Sequence, residues 1–332
     1  MNETLKHKNG SVDLEPVGEG RLRVSVRISD PGAFVTGPEW TTGYPRELVS
    51  AILDVKGPAW LCDELQRDED SAYVENDLRH DVLGFIDPDD FRGKRVLDFG
   101  CGCGASTVVV SRLLPGAEIT GVELDAPSLE IAAMRMAHYG LDSTRLLLSP
   151  DPESLPPDIG DFDFILFSAV FEHLLPDERT RLLPTVWARL RPSGVLFLNQ
   201  TPHRYFPIEG HTTGLPLINY LPDRMVHLLT DRFCGRIPRG TDWSTLLRMG
   251  IRGGTPGEVL TILRGTGEMP QNLDPTKNGL HNHLELWEKS SRMRHTGTGH
   301  KVKARALKVF RALTGLTMVP NISLGIRKVE NG

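Results

Sequence analysis

One stretch of the chain, residues 95–114, constrains the fold more than any other. Its first five residues are mostly apolar and predict a short buried strand. Gly100, Gly102 and Gly104 follow, and a helical pattern begins at about Ala105. Glycine lets a backbone approach a ligand closely, and the free N–H groups at a helix start face the same space. The stretch therefore predicts either a tight strand-to-helix turn or a loop that binds a nucleotide-type ligand.

Strand-like and helix-like patterns alternate from this stretch onwards. Apolar runs typical of strands lie at residues 117–122, 145–149, 162–168 and 194–200, and helical patterns lie at residues 126–139 and 176–190. Such alternation predicts right-handed crossovers and a parallel sheet that helices cover on both faces. We therefore expect an α/β, doubly wound core.

The chain before this core has a different pattern. Residues 11–28 alternate between apolar and polar side chains, which is typical of a hairpin. Residues 45–65 and 71–86 have helical periodicity. We therefore expect residues 1–90 to form an N-terminal hairpin and helical cap that packs on the core.

The core itself is expected at residues 91–255, ending in a short strand at 251–255. Residues 256–332 are expected to add a helical extension and the last strand of the sheet, at 320–329. An amphipathic helix is predicted at 301–313. Its apolar face consists of Val302, Ala306, Val309 and Leu313.

The composition bounds the class of protein and its compartment. The 332 residues carry a net charge of −5, so no overall basic field favours nucleic acid as a partner. The four cysteines are scattered, the first residues are polar, and the sequence has no run of 18 apolar residues. These features predict a cytoplasmic protein without a signal peptide or a membrane span.

Two nucleotide-type ligands fit the glycine loop. Gly100, Gly102 and Ala105 match the dinucleotide fingerprint, and Glu123 follows at a suitable distance along the chain to bind a ribose. That match alone predicts an NAD-dependent oxidoreductase. Asp98, two residues before the first glycine, points to the second ligand.

Residues 96–104 resemble the first motif of the class I S-adenosylmethionine-dependent methyltransferases, which is a hydrophobic strand, an acid and G-x-G-x-G. Residues 151–156 are similar to the family's D-A-E-x-L-P segment, with Pro152 in place of the usual small residue. Residues 162–174 resemble its fourth strand and E-H-L tail, and residues 190–195 resemble its L-[KR]-P-G-G turn. Four segments in the family's order, over about a third of the chain, favour this family over the dehydrogenases.

The resemblance implies a mostly parallel, seven-stranded Rossmann-like sheet and S-adenosylmethionine as the cofactor. A carboxylate at the end of the second strand, Glu123, can accept two hydrogen bonds from a ribose diol. Asp151 matches the family's acid that binds the adenine amino group, and Pro152 lacks the N–H for one further adenine contact. The residues assigned to the cofactor are Asp98, Gly100, Gly102, Gly104, Glu123, Asp151, Pro152 and Ser168.

The reaction that the resemblance implies is an in-line displacement at the methyl carbon of a sulfonium. The protein must mainly align the acceptor with the methyl group and exclude water. A hydroxyl acceptor would be helped by a general base, for which the candidates are His173, His203, Glu209 and His211. A metal site of His203, Glu209 and His211 is conceivable, but these residues have no identifiable second shell, so we expect no metal.

The acceptor is less constrained than the cofactor. The loop at 201–222 resembles that of quinone-pathway and surface-glycan O-methyltransferases, so we expect a small-molecule, glycan or lipid-linked acceptor that is methylated at a hydroxyl oxygen. A non-catalytic binding protein of the same fold is a further alternative.

A basic segment at 291–320 could contribute to acceptor binding. It predicts either a solvated helix face docked on an acidic body, or contact with an anionic membrane or a phosphate-bearing acceptor. The segment contains no acid and seven basic residues: Arg292, Arg294, Lys301, Lys303, Arg305, Lys308 and Arg311.

Overall fold

A seven-stranded sheet forms the centre of the molecule in a computed structural model that describes residues 2–30, 35–292 and 297–329. Arg294 of the basic segment lies outside the described residues. A second, four-stranded antiparallel sheet lies near the N-terminus. The strands are β1 (Glu3–His7), β2 (Gly10–Gly18), β3 (Arg21–Ile28), β4 (Glu39–Thr42), β5 (Arg95–Phe99), β6 (Glu118–Glu123), β7 (Arg145–Leu148), β8 (Phe162–Ser168), β9 (Leu190–Pro202), β10 (Pro270–Leu273) and β11 (Asn321–Lys328).

Helices connect most of these strands and precede the core. They are α1 (Arg46–Lys56), α2 (Pro58–Glu69), α3 (Asn76–Asp81), α4 (Ala105–Leu113), α5 (Ala126–His138), α6 (Pro176–Ala188), α7 (Asp223–Phe233), α8 (Trp243–Arg248), α9 (Pro256–Arg264), α10 (His283–Arg292) and α11 (Thr298–Thr314). Within the described ranges, no helix is long and apolar enough to cross a membrane.

The large sheet has the strand order β10-β11-β9-β8-β5-β6-β7. The five strands from β9 to β7 pair in parallel, whereas β11 is antiparallel to both of its neighbours. The prediction of a doubly wound, mostly parallel, seven-stranded sheet is therefore confirmed. Because the chain order reverses between β5 and β8, the carboxyl ends of these two strands form the crevice where such sheets bind ligands.

Side chains of the central strands alternate between two apolar layers. Phe164 and Leu166 of β8 pack into one cluster, whereas Ile165 and Phe167 pack into the other. All four side chains are buried, since helices cover both faces of the sheet. The run at 162–168 therefore gave a strand at its predicted bounds.

The N-terminal sheet and helices α1 and α2 pack together on the core. Leu48, Ile52 and Leu61 are buried in a cluster that also includes Ile131 of α5. The side chain of Arg135, also on α5, is fully buried here and pairs with Glu64 of α2 at 2.9 Å. The predicted hairpin is β2 and β3, and β1 and β4 extend it on its two sides.

The region after β9 differs more from the prediction. The prediction of a short strand at 251–255 is wrong, since an isolated bridge between Gly254 and His203 is the only strand-type pairing described there. Strand β10, which had no sequence signal, completes the sheet beside β11. The helix predicted at 301–313 is present as α11, but its apolar face points to solvent: Val302, Val309 and Leu313 are 62%, 53% and 81% exposed.

Candidate active site

The glycine loop between β5 and α4 has a left-handed backbone at all three glycines, with φ of +72°, +55° and +83° at Gly100, Gly102 and Gly104. A Cβ at Gly100 would lie 2.6 Å from a methyl group of Val170, and one at Gly104 would lie 2.8 Å from Ala132. A Cβ at Gly102 would meet nothing within 4 Å. Packing therefore requires the two outer glycines, and the middle one borders open space on the ligand side.

Glu123 lies at the end of β6, next to this loop. Its Oε2 accepts a hydrogen bond from Gly102 N at 2.7 Å, and its Oε1 accepts hydrogen bonds from the N–H groups of Leu124 and Asp125 at 2.8 and 3.0 Å. The side chain is partly exposed, and Oε2 keeps a lone pair for a ligand hydroxyl, whereas both lone pairs of Oε1 are taken by backbone N–H groups. This arrangement fits a ribose hydroxyl that lies against the glycine loop.

Asp98 has a structural role in the loop and does not present its carboxylate to a ligand. It is 1% exposed, and its Oδ2 accepts hydrogen bonds from Ser106 Oγ at 2.8 Å and Thr107 Oγ1 at 2.7 Å. Burial raises the pKa of Asp98, although the two hydroxyl groups partly offset this. Asp98 therefore holds the first turn of α4 against β5 and fixes the shape of the glycine loop.

The remaining cofactor candidates lie at the ends of two other strands. Asp151, just after β7, accepts hydrogen bonds from Ser154 Oγ and Glu153 N, both at 2.8 Å, and these bonds lower its pKa. Asp151 and Pro152 are exposed. Ser168, at the end of β8, donates a hydrogen bond to Asn199 Oδ1 on β9.

The strand pairing explains why these candidates share one edge. Glu123 pairs with Leu148 in the β6–β7 register, and Ser168 pairs with Asn199 in the β8–β9 register. The carboxyl ends of five parallel strands therefore present a glycine loop, two acids and two polar side chains. Such a set can hold a nucleoside with a charged tail.

The four candidates for activating an acceptor lie beyond β8 and β9, and one of them has a structural role. Glu209 is 3% exposed, and its carboxylate accepts four hydrogen bonds. The donors are the N–H groups of His211, Thr212 and Thr213 and the hydroxyl of Thr213, at 2.6–2.9 Å. Glu209 therefore organises the loop that carries His211. The remaining candidates for the general base are the three histidines.

Two of the three histidines, His203 and His173, differ in which ring nitrogen is unprotonated. His203 Nδ1 accepts a hydrogen bond from Tyr205 N at 3.1 Å, so the neutral ring carries its proton on Nε2. His173 has the opposite arrangement, because its Nδ1 lies 2.7 Å from the carbonyl oxygen of Arg248 and must donate to it. Its Nε2 is therefore the unprotonated nitrogen, and it faces Glu172.

A polar cavity of about 380 Å³ opens beside these groups. It lies between two parts of the chain. The end of β9 and the segment after it contribute Gln200, His203 and His211, and helices α10 and α11 contribute Trp287 and Lys303. Burial lowers the pKa of His203. The pKa of His211 is also lowered, first by partial desolvation and then by the nearby His173. Both rings are therefore neutral near pH 7.

Sequence reasoning missed two residues at this site. Glu172 is fully buried on the 3₁₀ turn that follows β8, and Asn199 is fully buried where the pairing of β9 with β8 ends. Asn199 Nδ2 has no hydrogen-bond partner among the described residues. A polar residue at the end of an otherwise apolar strand was the available signal for Asn199.

The comparison with known families agrees with the kind of ligand that the strand ends can hold, a nucleoside with a charged tail. Residues 97–196 match the family model described as a methyltransferase domain. Those residues run from β5 into β9 and include the glycine loop, Glu123, Asp151 and Ser168. The chain therefore contains a class I S-adenosylmethionine-dependent methyltransferase domain, with S-adenosylmethionine as its cofactor.

The relatives with curated names share this domain. The chain is 29% identical over 108 residues to carboxy-S-adenosyl-L-methionine synthase of Photobacterium profundum, which covers 32% of this chain and 43% of that protein. It is 29% identical over 194 residues to ubiquinone biosynthesis O-methyltransferase of Nitrosococcus oceani, covering 57% of this chain and 67% of that protein. The chain thus spans less than half the length of the first of these relatives.

Solved structures show a more distant similarity. The mitomycin 7-O-methyltransferase structure superposes with a TM-score of 0.46 at 17% identity, and the match covers 84% of this chain and 59% of that one.

Proposed function

We propose that this chain transfers a methyl group from S-adenosylmethionine to a hydroxyl oxygen of an acceptor held in the polar cavity. The cofactor supplies a methyl group on a sulfonium, which is an excellent leaving group. The observation that carries the proposal is the position of the cavity. It is lined by Gln200 and Pro202 in the last three residues of β9, at the edge of the sheet where the cofactor candidates lie. The similarity to ubiquinone biosynthesis O-methyltransferase supports oxygen as the acceptor atom.

A hydroxyl acceptor loses its proton during the transfer, and the histidines are placed to assist. His203 has its unprotonated nitrogen occupied by Tyr205 N–H, so it serves as a hydrogen-bond donor to the acceptor. His211 lines the cavity, and His173 lies next to it with a ring centroid 5.6 Å away, so that each ring can offer a nitrogen lone pair. We assign the activation of the acceptor hydroxyl to these two rings.

A labelled-methyl assay tests this proposal. The protein is incubated with S-adenosylmethionine carrying a labelled methyl group and a panel of catechols, prenylated phenols and nucleotide sugars. We expect a labelled methyl ether, and we expect His211→Ala to lower turnover by about 10²-fold or more, with cofactor affinity within about twofold. His227→Ala is a matched control, because His227, on α7, bonds the Thr241 carbonyl and is not among the residues that line the cavity. Label on nitrogen or sulfur, or unchanged turnover in His211→Ala, would contradict the proposal.

A lipid-linked acceptor is supported by helix α11. Its exposed apolar residues Val302, Val309 and Leu313 share one face, and Lys303 and Arg305 flank that face on either side. A helix with this pattern lies in a membrane interface with its apolar face in the lipid and its cations near anionic head groups. Lys303 also lines the cavity, so a membrane-bound helix would bring the cavity close to the lipid.

Vesicle sedimentation tests the membrane proposal. We expect the protein to bind phosphatidylcholine vesicles that contain phosphatidylglycerol, and to bind less as salt rises. Val309→Asp combined with Leu313→Asp should abolish binding, since these side chains are exposed and the fold tolerates the change. Val17→Asp, an exposed apolar site on β2, is the control and should bind normally. Equal binding of all three proteins, or none by the wild type, would remove the membrane from the proposal.

A further inference from the structure

Three potential metal ligands from two separate segments meet beside the cavity. Glu172 and His173 lie on the short 3₁₀ turn Phe171–His173 after β8, and His211 lies on the loop after β9. One carboxylate oxygen and one imidazole nitrogen from each ring all lie within 4.8 Å of one another. This set differs from the one weighed from sequence in two members. The carboxylate of Glu209 is occupied by hydrogen bonds from the loop, so that of Glu172 takes its place, and His173 takes the place of His203.

One carboxylate oxygen of Glu172 has no hydrogen-bond donor within residues 2–30, 35–292 and 297–329. The side chain is fully buried, and Oε2 accepts a hydrogen bond from Thr201 Oγ1 at 3.0 Å. Oε1 accepts no hydrogen bond from any residue in the described part of the chain, and its nearest basic partner is His173 Nε2 at 3.8 Å. Leaving a buried carboxylate oxygen unpaired is costly, so this oxygen is suited to a cation.

The orientation of His173 is fixed from behind. Its Nδ1–H donates to the Arg248 carbonyl, which leaves the Nε2 lone pair directed towards Glu172. Arg248 is held in turn by Glu178, whose Oε2 accepts a hydrogen bond from Nη1 at 2.6 Å. Histidines that bind metals in proteins are commonly oriented in this way, by a carbonyl or carboxylate on the other nitrogen.

The position of His211 depends on Gly250. A Cβ at Gly250, where φ is +87°, would lie 2.8 Å from His211 Cδ2, 3.0 Å from its Nε2 and 3.2 Å from Glu172 Cγ. Only glycine therefore leaves room for the ring beside the glutamate. His211 N–H also donates to Glu209 at 2.9 Å, so the backbone of this histidine is fixed as well.

We propose that Glu172, His173 and His211 bind one divalent transition-metal cation, of the kind represented by Zn²⁺, Mn²⁺ or Co²⁺. Two imidazoles and one carboxylate favour these ions over Mg²⁺ and Ca²⁺, which prefer sites made of oxygen ligands. Bonds of about 2.0–2.2 Å place the ligands of such an ion roughly 3.4 Å apart, so the cluster contracts by about 1 Å on binding. Three protein ligands leave at least one coordination position for another oxygen.

The role of this ion rests on the proposed function. The acceptor hydroxyl would take the open position and lose its proton to solvent, because a bound divalent cation lowers the pKa of a coordinated hydroxyl. The oxygen then forms a bond to the methyl carbon while the carbon–sulfur bond breaks, and the electron pair stays on sulfur. In this arrangement His173 and His211 activate the acceptor through the metal.

Metal binding is tested directly, without any acceptor. The protein is freed of metal with EDTA, dialysed and titrated with CoCl₂ and MnCl₂ by calorimetry, with visible spectra of the Co²⁺ complex. We expect one equivalent to bind, and we expect Glu172→Gln and His211→Asn each to weaken binding at least tenfold. His227→Asn is the matched control and should bind like the wild type. A spectrum without thiolate charge-transfer bands would exclude the four cysteines as ligands, and the weaker binding of the two variants would assign the ion to this cluster.

Several results would overturn the inference. They are no binding of either ion by the wild type, a thiolate spectrum, or equal affinity in the wild type, Glu172→Gln and His211→Asn. Circular dichroism of each variant shows that it is folded, and His211→Asn is a change at an exposed residue. Because the titration needs no turnover, a protein that binds metal but methylates nothing contradicts only the proposed function. A protein that methylates a hydroxyl at full rate in EDTA contradicts only the metal inference.

Discussion

Two buried glutamates, one where the N-terminal helices meet the core and one at the active-site edge, have opposite surroundings. Glu64 pairs with the fully buried Arg135 at 2.9 Å and lies 3.9 Å from Arg67. Burial alone would raise the pKa of Glu64, but the two guanidinium groups outweigh it and the pKa is lowered. Among the described residues, no arginine forms an ion pair with the Glu172 carboxylate, and burial raises the pKa of Glu172 despite the nearby His173.

The difference between these sites separates a structural charge from a functional one. At the cap–core contact, Arg135 pairs with Glu64 at 2.9 Å and with Asp68 at 3.8 Å, so opposite charges join two layers of structure. At the strand ends, Glu172 Oε1 has no hydrogen-bond partner among the described residues. Its buried carboxylate contributes to stability only when a ligand binds to it. The two regions should therefore respond differently when a charge is removed.

The largest expected effect comes from removing the cation at the cap–core contact. Arg135→Met leaves Glu64 and Asp68 buried without their partner, and we expect a loss of about 3–5 kcal/mol in the free energy of unfolding. Denaturant unfolding followed by circular dichroism measures it. Arg23→Ala breaks an exposed pair with Glu15 and should leave stability nearly unchanged. A similar small effect in both variants would show that the cap is not held by this network.

Neutral replacement of the two glutamates sharpens the comparison. In EDTA at pH 7.5, Glu64→Gln should destabilise the protein by about 3 kcal/mol, whereas Glu172→Gln should cost less than about 1 kcal/mol, since it removes an uncompensated charge.

The lowered pKa of Glu64 also predicts a pH dependence of stability. Its contribution is present above the unfolded pKa of about 4.3 and is lost as pH falls through the folded value. Unfolding measured between pH 3 and 7.5 should therefore show a shallower acid loss in Glu64→Gln, and equal curves would contradict the assignment.

A third carboxylate, Glu123, lies between these extremes and gives the smallest stability effect. It is partly exposed and holds three backbone N–H groups, so Glu123→Ala should change the melting temperature of the cofactor-free protein little. Cofactor affinity should fall by about 1–3 kcal/mol, because a bound diol loses its acceptor. Calorimetry with S-adenosylhomocysteine measures the change. An unaltered dissociation constant would remove Glu123 from the cofactor site.

Much of the sheet edge where the cofactor candidates lie could be predicted, because it depends on patterns between residues that are close in sequence. The strands at 95–99 and 162–168 are apolar runs with clear ends, and the glycines at 100, 102 and 104 are required by backbone conformation and local packing. A polar residue directly after a parallel strand must lie at the carboxyl edge of the sheet, which is why Glu123 and Asp151 could be located. Even so, the sequence did not reveal that Asp98 points into the protein, towards Ser106 and Thr107.

The arrangement of residues on the acceptor side could not be predicted in the same way, because it depends on contacts between parts of the chain that are distant in sequence. Helical periodicity located α11, but only tertiary packing decided that Ala304 faces the protein and Leu313 faces solvent.

The amino-acid sequence by itself determined the order of strands and helices, the glycine loop and the class of cofactor, because each follows from local patterns and chain connectivity. Only the tertiary structure decided which groups meet at the acceptor side. Glu172 and His211 are far apart in sequence, and they come together because β8 and β9 are parallel neighbours and Gly250 leaves room between them. No local pattern encodes that distance, since it is set by how loops from separate strands pack against one another.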